Sequence, residues 1–323
     1  MRLSLATLIV LSTMVLVGVV ASDVHLDRRT GGVAPISSAT NGAPAAGADP
    51  RTPPSPGGAA IVDRASQPLT PGPTRDREVP ILYYHRVTTP PAAFWSWSQA
   101  RRDRQTQYEV LPSAFAAQLD WLTGHGYTTI LPRDLAAHWD HGAALPPKPV
   151  IITFDDGTRD WSRTVLPLLR RHAMVAEFYL TLDAIRGRRI SWTDVLALAA
   201  AGNGIGAHDV HHVQLANLGR GRPDASIETM RAEVTDIRAV IEAQAGVAPD
   251  SMAYVGGGYN STLMDLARQA GYSTARTTVS GRQQTVAHRY SLRVVHVGWQ
   301  EDVANEKLGT MVPDLPAFAR SLG

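Results

Sequence analysis

No cysteine occurs among the 323 residues of the chain. That absence excludes disulfides, thiolate-bound zinc, thiol nucleophiles and lipid attachment to an N-terminal Cys. Any metal must then be held by His and carboxylates. Lysine is nearly absent as well: only Lys148 and Lys307 occur among 31 Lys+Arg, so arginine carries the positive charge. An excess of either sign is also missing. The 31 cations stand against 29 anions, a net charge of +2, which makes no electrostatic case for nucleic acid. Charged residues are only 19% and hydrophobic ones 44%. That balance excludes a chain disordered throughout and allows a sizeable core.

What is present changes along the chain. Residues 1–21, MRLSLATLIVLSTMVLVGVVA, place one Arg before an uncharged apolar stretch that ends in small residues. This has the shape of a secretory signal peptide. An uncleaved membrane anchor is the alternative, because its apolar length nearly spans a bilayer. Either way the expected address is secreted or cell envelope, with membrane contact only through this segment. Residues 22–78 are rich in Ala, Pro, Gly and Ser, with few large apolar residues. Such a stretch buries too little to offset its ordering entropy and reads as a flexible tether.

Residues 79–323 read as one catalytic domain, expected to be a monomer. Apolar runs alternate with helical patterns there. Val79–Tyr84, Tyr127–Leu131, Pro149–Phe154, Val175–Leu180, Gly204–Ala207, Ser251–Val255, Ser273–Thr278 and Leu292–Val297 read as strands. Pro112–Gly126, Pro132–Asp140, Trp161–His172, Trp192–Ala201 and Ala225–Ala245 read as helices. The alternation predicts an α/β domain with a parallel sheet, barrel-like or doubly wound. Functional groups then gather at the C-terminal ends of the strands.

Two constellations sit at such ends. Thr153-Phe154-Asp155-Asp156-Gly157 closes an apolar strand with adjacent carboxylates. Neighbouring residues at a strand end diverge, so one acid can ligate a metal while the other takes a proton. A plain Asp-Asp-Gly turn with a helix N-cap accounts for the same letters. His208-Asp209-Val210-His211-His212 follows the strand Gly204–Ala207. Spacing by four puts His208 and His212 on one face of a helical turn, close enough to share an ion. His211 falls off that face. Taken together, one carboxylate and two imidazoles are a donor set for catalytic zinc.

Several stretches resemble the polysaccharide deacetylases with a NodB-type domain, carbohydrate esterase family four. Leu145 to Gly157, LPPKPVIITFDDG, is similar to that family's first motif and its approach. Val79 to Val87, VPILYYHRV, is similar to the opening strand of the subgroup acting on poly-N-acetylglucosamine. Ser191-Trp192-Thr193-Asp194, leading to Gly206-Ala207-His208, resembles the run into the second motif. The resemblance covers about residues 79–300. It implies a distorted (β/α)7-type barrel, the NodB-like deacetylase fold. It implies that Asp156, His208 and His212 bind a divalent metal, Zn2+ before Co2+ or Ni2+. Asp155 would be the general base, His296 would protonate the leaving amine, and Arg293 would hydrogen-bond Asp155. Tyr254, Gly256, Gly257 and Trp192 would face the substrate or its oxyanion.

Departures from the family pattern bear on rate and substrate choice. The third motif reads Ala253-Tyr254-Val255-Gly256-Gly257-Gly258, with Val for its Pro and Gly for the following aromatic. A glycine keeps the N–H but adds backbone freedom, so the run reads as a loose loop. Asp209 replaces a hydroxyl residue after the first His, and Glu177 replaces a Thr. Trp95, Trp97, Tyr108 and Arg101–Arg104 lie in an insertion that either stacks on sugar rings or packs locally. The implied activity is an exported, metal-dependent removal of N-acetyl groups from an N-acetylhexosamine polymer such as poly-N-acetylglucosamine, chitin or peptidoglycan. An O-acetyl esterase acting on a glycan such as xylan and a non-catalytic glycan-binding relative are the alternatives.

Overall fold

The structure, a computed structural model, describes residues 76–106, 108–217, 221–297 and 315–323. The expectations for residues 1–21 and for the tether up to residue 75 lie outside the described residues. Seven strands form the barrel: β1 (Ile81–Tyr84), β2 (Pro149–Asp155), β3 (Glu177–Leu180), β4 (Gly204–Ala207), β5 (Ser251–Ala253), β6 (Thr274–Ser280) and β7 (Leu292–His296). They pair in chain order, and β7 and β2 both pair with β1, so the sheet closes. Each pairing is parallel. Parallel order puts every strand's C-terminal end at one mouth. The register shifts between Arg276 and Ser280, where β6 meets β7.

Strand alternation sorts the side chains into two layers. Leu82, Tyr84, Ile152, Phe154, Phe178 and Leu180 face outward under the helices. Phe154 stacks on Tyr84 and on Phe178, with ring centroids 5.2 Å apart in each pair. Truncating Phe154 to Ala would cost about 3–5 kcal/mol. Ile81, Ile151, Leu292 and Val294 face the barrel interior at its base, where Leu135 and Trp139 close it. Next along the interior face come Tyr83, Thr153 and Glu177, paired side by side. Above them lie Asp155 and Tyr179 at the mouth.

The strands fall close to where the sequence places them, except that Tyr127–Leu131 shrinks to Thr128–Thr129 at the base of β2. The expected helix Trp161–His172 begins instead as a π turn, Trp161–Val165, before Leu166–Arg171. Pro167 lacks an N–H for the regular ladder, which explains the wider turn. A helix at Ser261–Gln269 was not expected; Asn260 Oδ1 caps it by accepting the Leu263 N–H at 2.8 Å.

Candidate active site

β2 ends with its two acids pointing apart. Asp155 is an interior residue of the strand and is buried. Asp156 has left the strand with φ 82°, and its side chain is 24% exposed. Gly157 follows at φ 82°, and a Cβ there would lie 2.7 Å from the Ala184 Cβ. Only glycine meets both conditions, so this turn dictates the divergence.

Asp156 Oδ1 lies 3.0 Å from His212 Nε2 and 3.5 Å from His208 Nε2. All three donor atoms fall within 4.8 Å of one another. Two ligands at about 2.0–2.2 Å from a tetrahedral ion stand roughly 3.3–3.5 Å apart, so the trio fits a zinc-like cation. His208 Nδ1 donates to the Ala253 carbonyl at 2.8 Å. That bond fixes the tautomer and leaves Nε2 as the inward donor atom. The electrostatics agree. Burial would lower the His208 pKa, but Asp155 and Asp156 outweigh it and hold it up at about 9. Burial likewise opposes ionisation of Asp156, yet its bonds to His208 and His212 carry it well below the carboxylate range. The arrangement asks for positive charge between these groups.

The two imidazoles do not share a helical turn, contrary to the spacing argument. His208–His212 is an irregular loop in which Asp209 (φ 61°) and His212 (φ 52°) are left-handed. Glu233, buried on helix Ile227–Ala245, holds this loop. Its Oε2 accepts the N–H groups of Val210 and His211 at 2.8 and 3.0 Å, and its Oε1 meets His211 Nδ1 at 2.5 Å. Nothing along the chain pointed to this clamp. Asp209 is not one of the three ligand candidates. Its Oδ1 is buried without a partner, and burial pushes its carboxyl up to about 7 against the pull of His208.

Arg276, not Arg293, partners Asp155. Arg276 Nη2 donates to Asp155 Oδ1, and both side chains are almost inaccessible. The guanidinium carbon lies 4.6 Å from the Tyr83 ring centroid and 4.9 Å from that of Tyr179. Arg293 sits on the outward side of β7, exposed, and donates to the Ser280 carbonyl at 3.3 Å. Strand parity decides it: His296 and Val294 point inward, so Arg293 cannot. The missed signal was a lone charged residue, Arg276, inside the otherwise uncharged strand Thr274–Ser280.

The remaining expected residues separate. His296 stands at the C-terminal end of β7, with Nε2 donating to the Thr278 carbonyl at 2.9 Å and its ring 5.4 Å from Tyr83. Trp192 is half-buried against the outer core at the start of its helix. Tyr254 is buried; its hydroxyl donates to the Tyr290 carbonyl at 3.0 Å and its N–H to the Arg276 carbonyl at 3.1 Å. Both donors are therefore spent, which removes Tyr254 from the substrate-facing group. Gly257 is buried too, its N–H bonded to the Tyr254 carbonyl at 2.9 Å. A Cβ on Gly257 would lie 2.7 Å from Thr278 N, and one on Gly258 1.8 Å from the Ala216 carbonyl oxygen. The run is thus a packed turn rather than a loose loop, and Gly256 is its exposed member.

Near the first strand, His85 Nε2 lies 3.1 Å from the Tyr83 hydroxyl, and burial brings its pKa down to about 4. Exposed Tyr108 packs on His85 at 4.5 Å, and Trp97 is covered by the Arg101 guanidinium at 3.8 Å. The Trp95 side chain lies outside the description. Glu177 is buried inside the barrel, where its Oε1 accepts from Ser251 Oγ at 2.7 Å. Gly204 and Gly206 of β4 make room for it, since a Cβ on either would come within 2.9 Å of its carboxylate.

A closed (β/α) barrel with an Asp-His-His cluster and a buried Asp–Arg pair at its C-terminal mouth has the design of a hydrolase. Residues 142–275 match the polysaccharide deacetylase family. That match spans less than half of the chain, and together with the site it supports a hydrolase that resembles this family. It is 23% identical over 221 residues to "Putative polysaccharide deacetylase YxkH" of Bacillus subtilis (strain 168), covering 68% of this chain and 71% of that one. Among solved structures it resembles the Streptococcus pyogenes deacetylase PplD, determined with acetate (22% identity, TM-score 0.60, covering 73% of this chain and 98% of that one). IcaB from Ammonifex degensii is similar (21%, TM-score 0.58, covering 75% and 97%). So is a de-N-acetylase from Aggregatibacter actinomycetemcomitans (18%, TM-score 0.57, covering 69% and 96%). These likenesses establish the fold.

Proposed function

We propose that the protein hydrolyses N-acetyl groups from an N-acetylhexosamine polymer, with a divalent metal, outside the cytoplasm. One observation carries the reading: Asp156, His208 and His212 converge beside the buried Asp155–Arg276 pair. A cation held by Asp156, His208 and His212 supplies Lewis acidity toward the acetyl carbonyl. Asp155 Oδ2 lies 3.6 Å from His208 Nε2, which sets it beside that position. Asp155 takes the proton of the attacking water, and Arg276 balances and orients its carboxylate. The exposed backbone at Gly256 borders the developing oxyanion. His296 returns a proton to the leaving amine nitrogen. The products are acetate and a free-amine glycan. The amide reading is supported by the fold shared with a de-N-acetylase, and the export reading by the apolar segment 1–21.

The test is acetate release by the purified chain from chito-oligosaccharides, peptidoglycan fragments and acetylated xylan, with added zinc and after chelation. Zinc-dependent release from an N-acetylated glycan is the expected result. Release only from xylan makes the enzyme an O-acetyl esterase. Release that survives complete metal removal rejects the metal role. No release despite bound zinc makes the protein a glycan-binding relative.

A further inference from the structure

One flank of the mouth is lined by arginines that the chemistry above does not use. Arg159 lies in the turn after β2, and Arg186, Arg188 and Arg189 lie between β3 and Trp192; all four are exposed. They stand at the metal cluster itself. Arg189 Nη2 donates to the backbone carbonyl of Asp156 at 3.3 Å. Arg186 Nη1 lies 3.3 Å from Nε2 of His211, the neighbour of His212. Arg159 Nη2 donates to the Arg188 carbonyl at 3.0 Å, which ties the two segments together. The second segment is ordered by its backbone: Arg188 N–H bonds Ile185 at 3.0 Å and Arg189 N–H bonds Ala184 at 2.8 Å. Buried Ile190 then anchors it.

The nearby acids are occupied elsewhere. Asp183 pairs with Arg186 at 3.2 Å. Asp160 accepts the Val87 N–H at 2.8 Å. Asp194 accepts from Ser162 and Ser191, each at 2.6 Å. Among the described residues, no carboxylate forms an ion pair with Arg159, Arg188 or Arg189. A chain of net charge +2 thus places three exposed arginines without carboxylate partners, Arg159, Arg188 and Arg189, in segments at one side of its reaction centre.

We infer that this rim recognises an anionic substituent, a carboxylate or phosphate, on the N-acetylated glycan. The inference rests on the deacetylase reading and narrows its substrate class. Planar guanidinium forks match carboxylate and phosphate oxygens in shape as well as charge. Product chemistry points the same way. Each hydrolysis turns a neutral acetamide into an amine that is protonated at neutral pH. A basic rim repels such a product when the glycan is otherwise neutral. An anionic substituent draws the substrate in and offsets the new cation.

The test compares three probes of equal length: neutral chitotetraose, a tetrasaccharide containing muramic acid with free lactyl carboxylates, and an N-acetylglucosamine oligomer bearing phosphate. Binding and zinc-supported acetate release are measured for each with the full chain. The wild type is expected to favour an anionic probe by about five- to tenfold, the size of a few partly screened charge contacts. Raising the salt from low concentration to about 1 M, where the Debye length falls to about 3 Å, should erase the preference. The double variant Arg159→Glu/Arg188→Glu should bring the anionic-to-neutral ratio to one or below. Which anionic probe wins separates carboxylate from phosphate. Equal or better binding of chitotetraose, or a preference indifferent to salt, overturns the inference. The wild-type arms decide this even if the variant does not fold. If acetate is released from no probe, the deacetylase reading fails, and the binding ratio still decides the rim.

Discussion

Asp155 and Asp156 are chain neighbours in two different environments. On the inner side, Asp155 is paired with Arg276 between two tyrosine rings, with hardly any water. On the outer side, Asp156 is partly exposed and faces two imidazoles. The inner side is built from regular strands, whose alternation aims Asp155 and Arg276 at each other. The outer side is built from left-handed turns at Asp156, Asp209 and His212, held by Gly157 and Glu233. The two sides divide the labour. In the proposed reaction the proton acceptor is oriented by a rigid, dry partner, whereas the candidate metal ligands come from loops that bend to a common point.

Substitutions should separate the two sides. The largest effects fall on turnover. Asp155→Asn should lower acetate release about 10²–10⁴-fold while the purified protein keeps its zinc. His208→Ala should lose activity together with zinc, as read by elemental analysis. Equal zinc loss in both variants would erase the distinction. Arg276→Met should cost about 3–5 kcal/mol in urea denaturation, because it strands a buried carboxylate. The double variant Asp155→Asn/Arg276→Met should recover part of that loss. Arg276→Lys should not replace the wild type, since an ammonium lacks the planar fork that lies between the rings.

The packed glycine turn gives the next effect. Gly257→Ala should cost about 1–3 kcal/mol from crowding alone, with left-handed strain added. Gly256→Ala, whose Cβ would meet only the Gln214 side chain at 3.4 Å, should cost about 1 kcal/mol from its left-handed φ. Equal costs would restore the loose-loop reading.

The last effect is a gain rather than a loss. Burial and the Asp250 charge raise the Glu177 pKa from 4.5 to about 8, against the Ser251 bond. The folded state therefore holds this proton more tightly than the unfolded one. Stability is lost as the pH rises from 4.5 towards 8 and no further above it. Glu177→Gln removes that dependence. It should stabilise the protein by about 1–3 kcal/mol near pH 8 and by much less near pH 4.5. Melting curves at the two pH values read the difference, and a loss at both would show that the carboxylic acid itself is needed.

Much of the site was legible along the chain. A paired Asp and a paired His, each closing an apolar strand, marked the mouth, because strand ends share a face in any parallel sheet. The strand Gly204–Ala207 was read without error. Arg293 was misassigned because choosing between two arginines needs the inward parity of each strand. Tyr254 failed for a related reason: its environment is set by Tyr290 and Arg276, distant in sequence. The arginine flank was illegible because Arg159 and Arg188 meet only in the fold.

Periodicity and residue type are local properties, so the chain alone was enough for a parallel α/β domain, the Asp-His-His donor set and the exclusion of thiol chemistry, while the barrel rested on the family resemblance. Tertiary structure alone decided which arginine partners Asp155, how the histidines converge without a helix, and where positive charge gathers. Those are distances between residues up to 121 positions apart, and only closure of the barrel sets them.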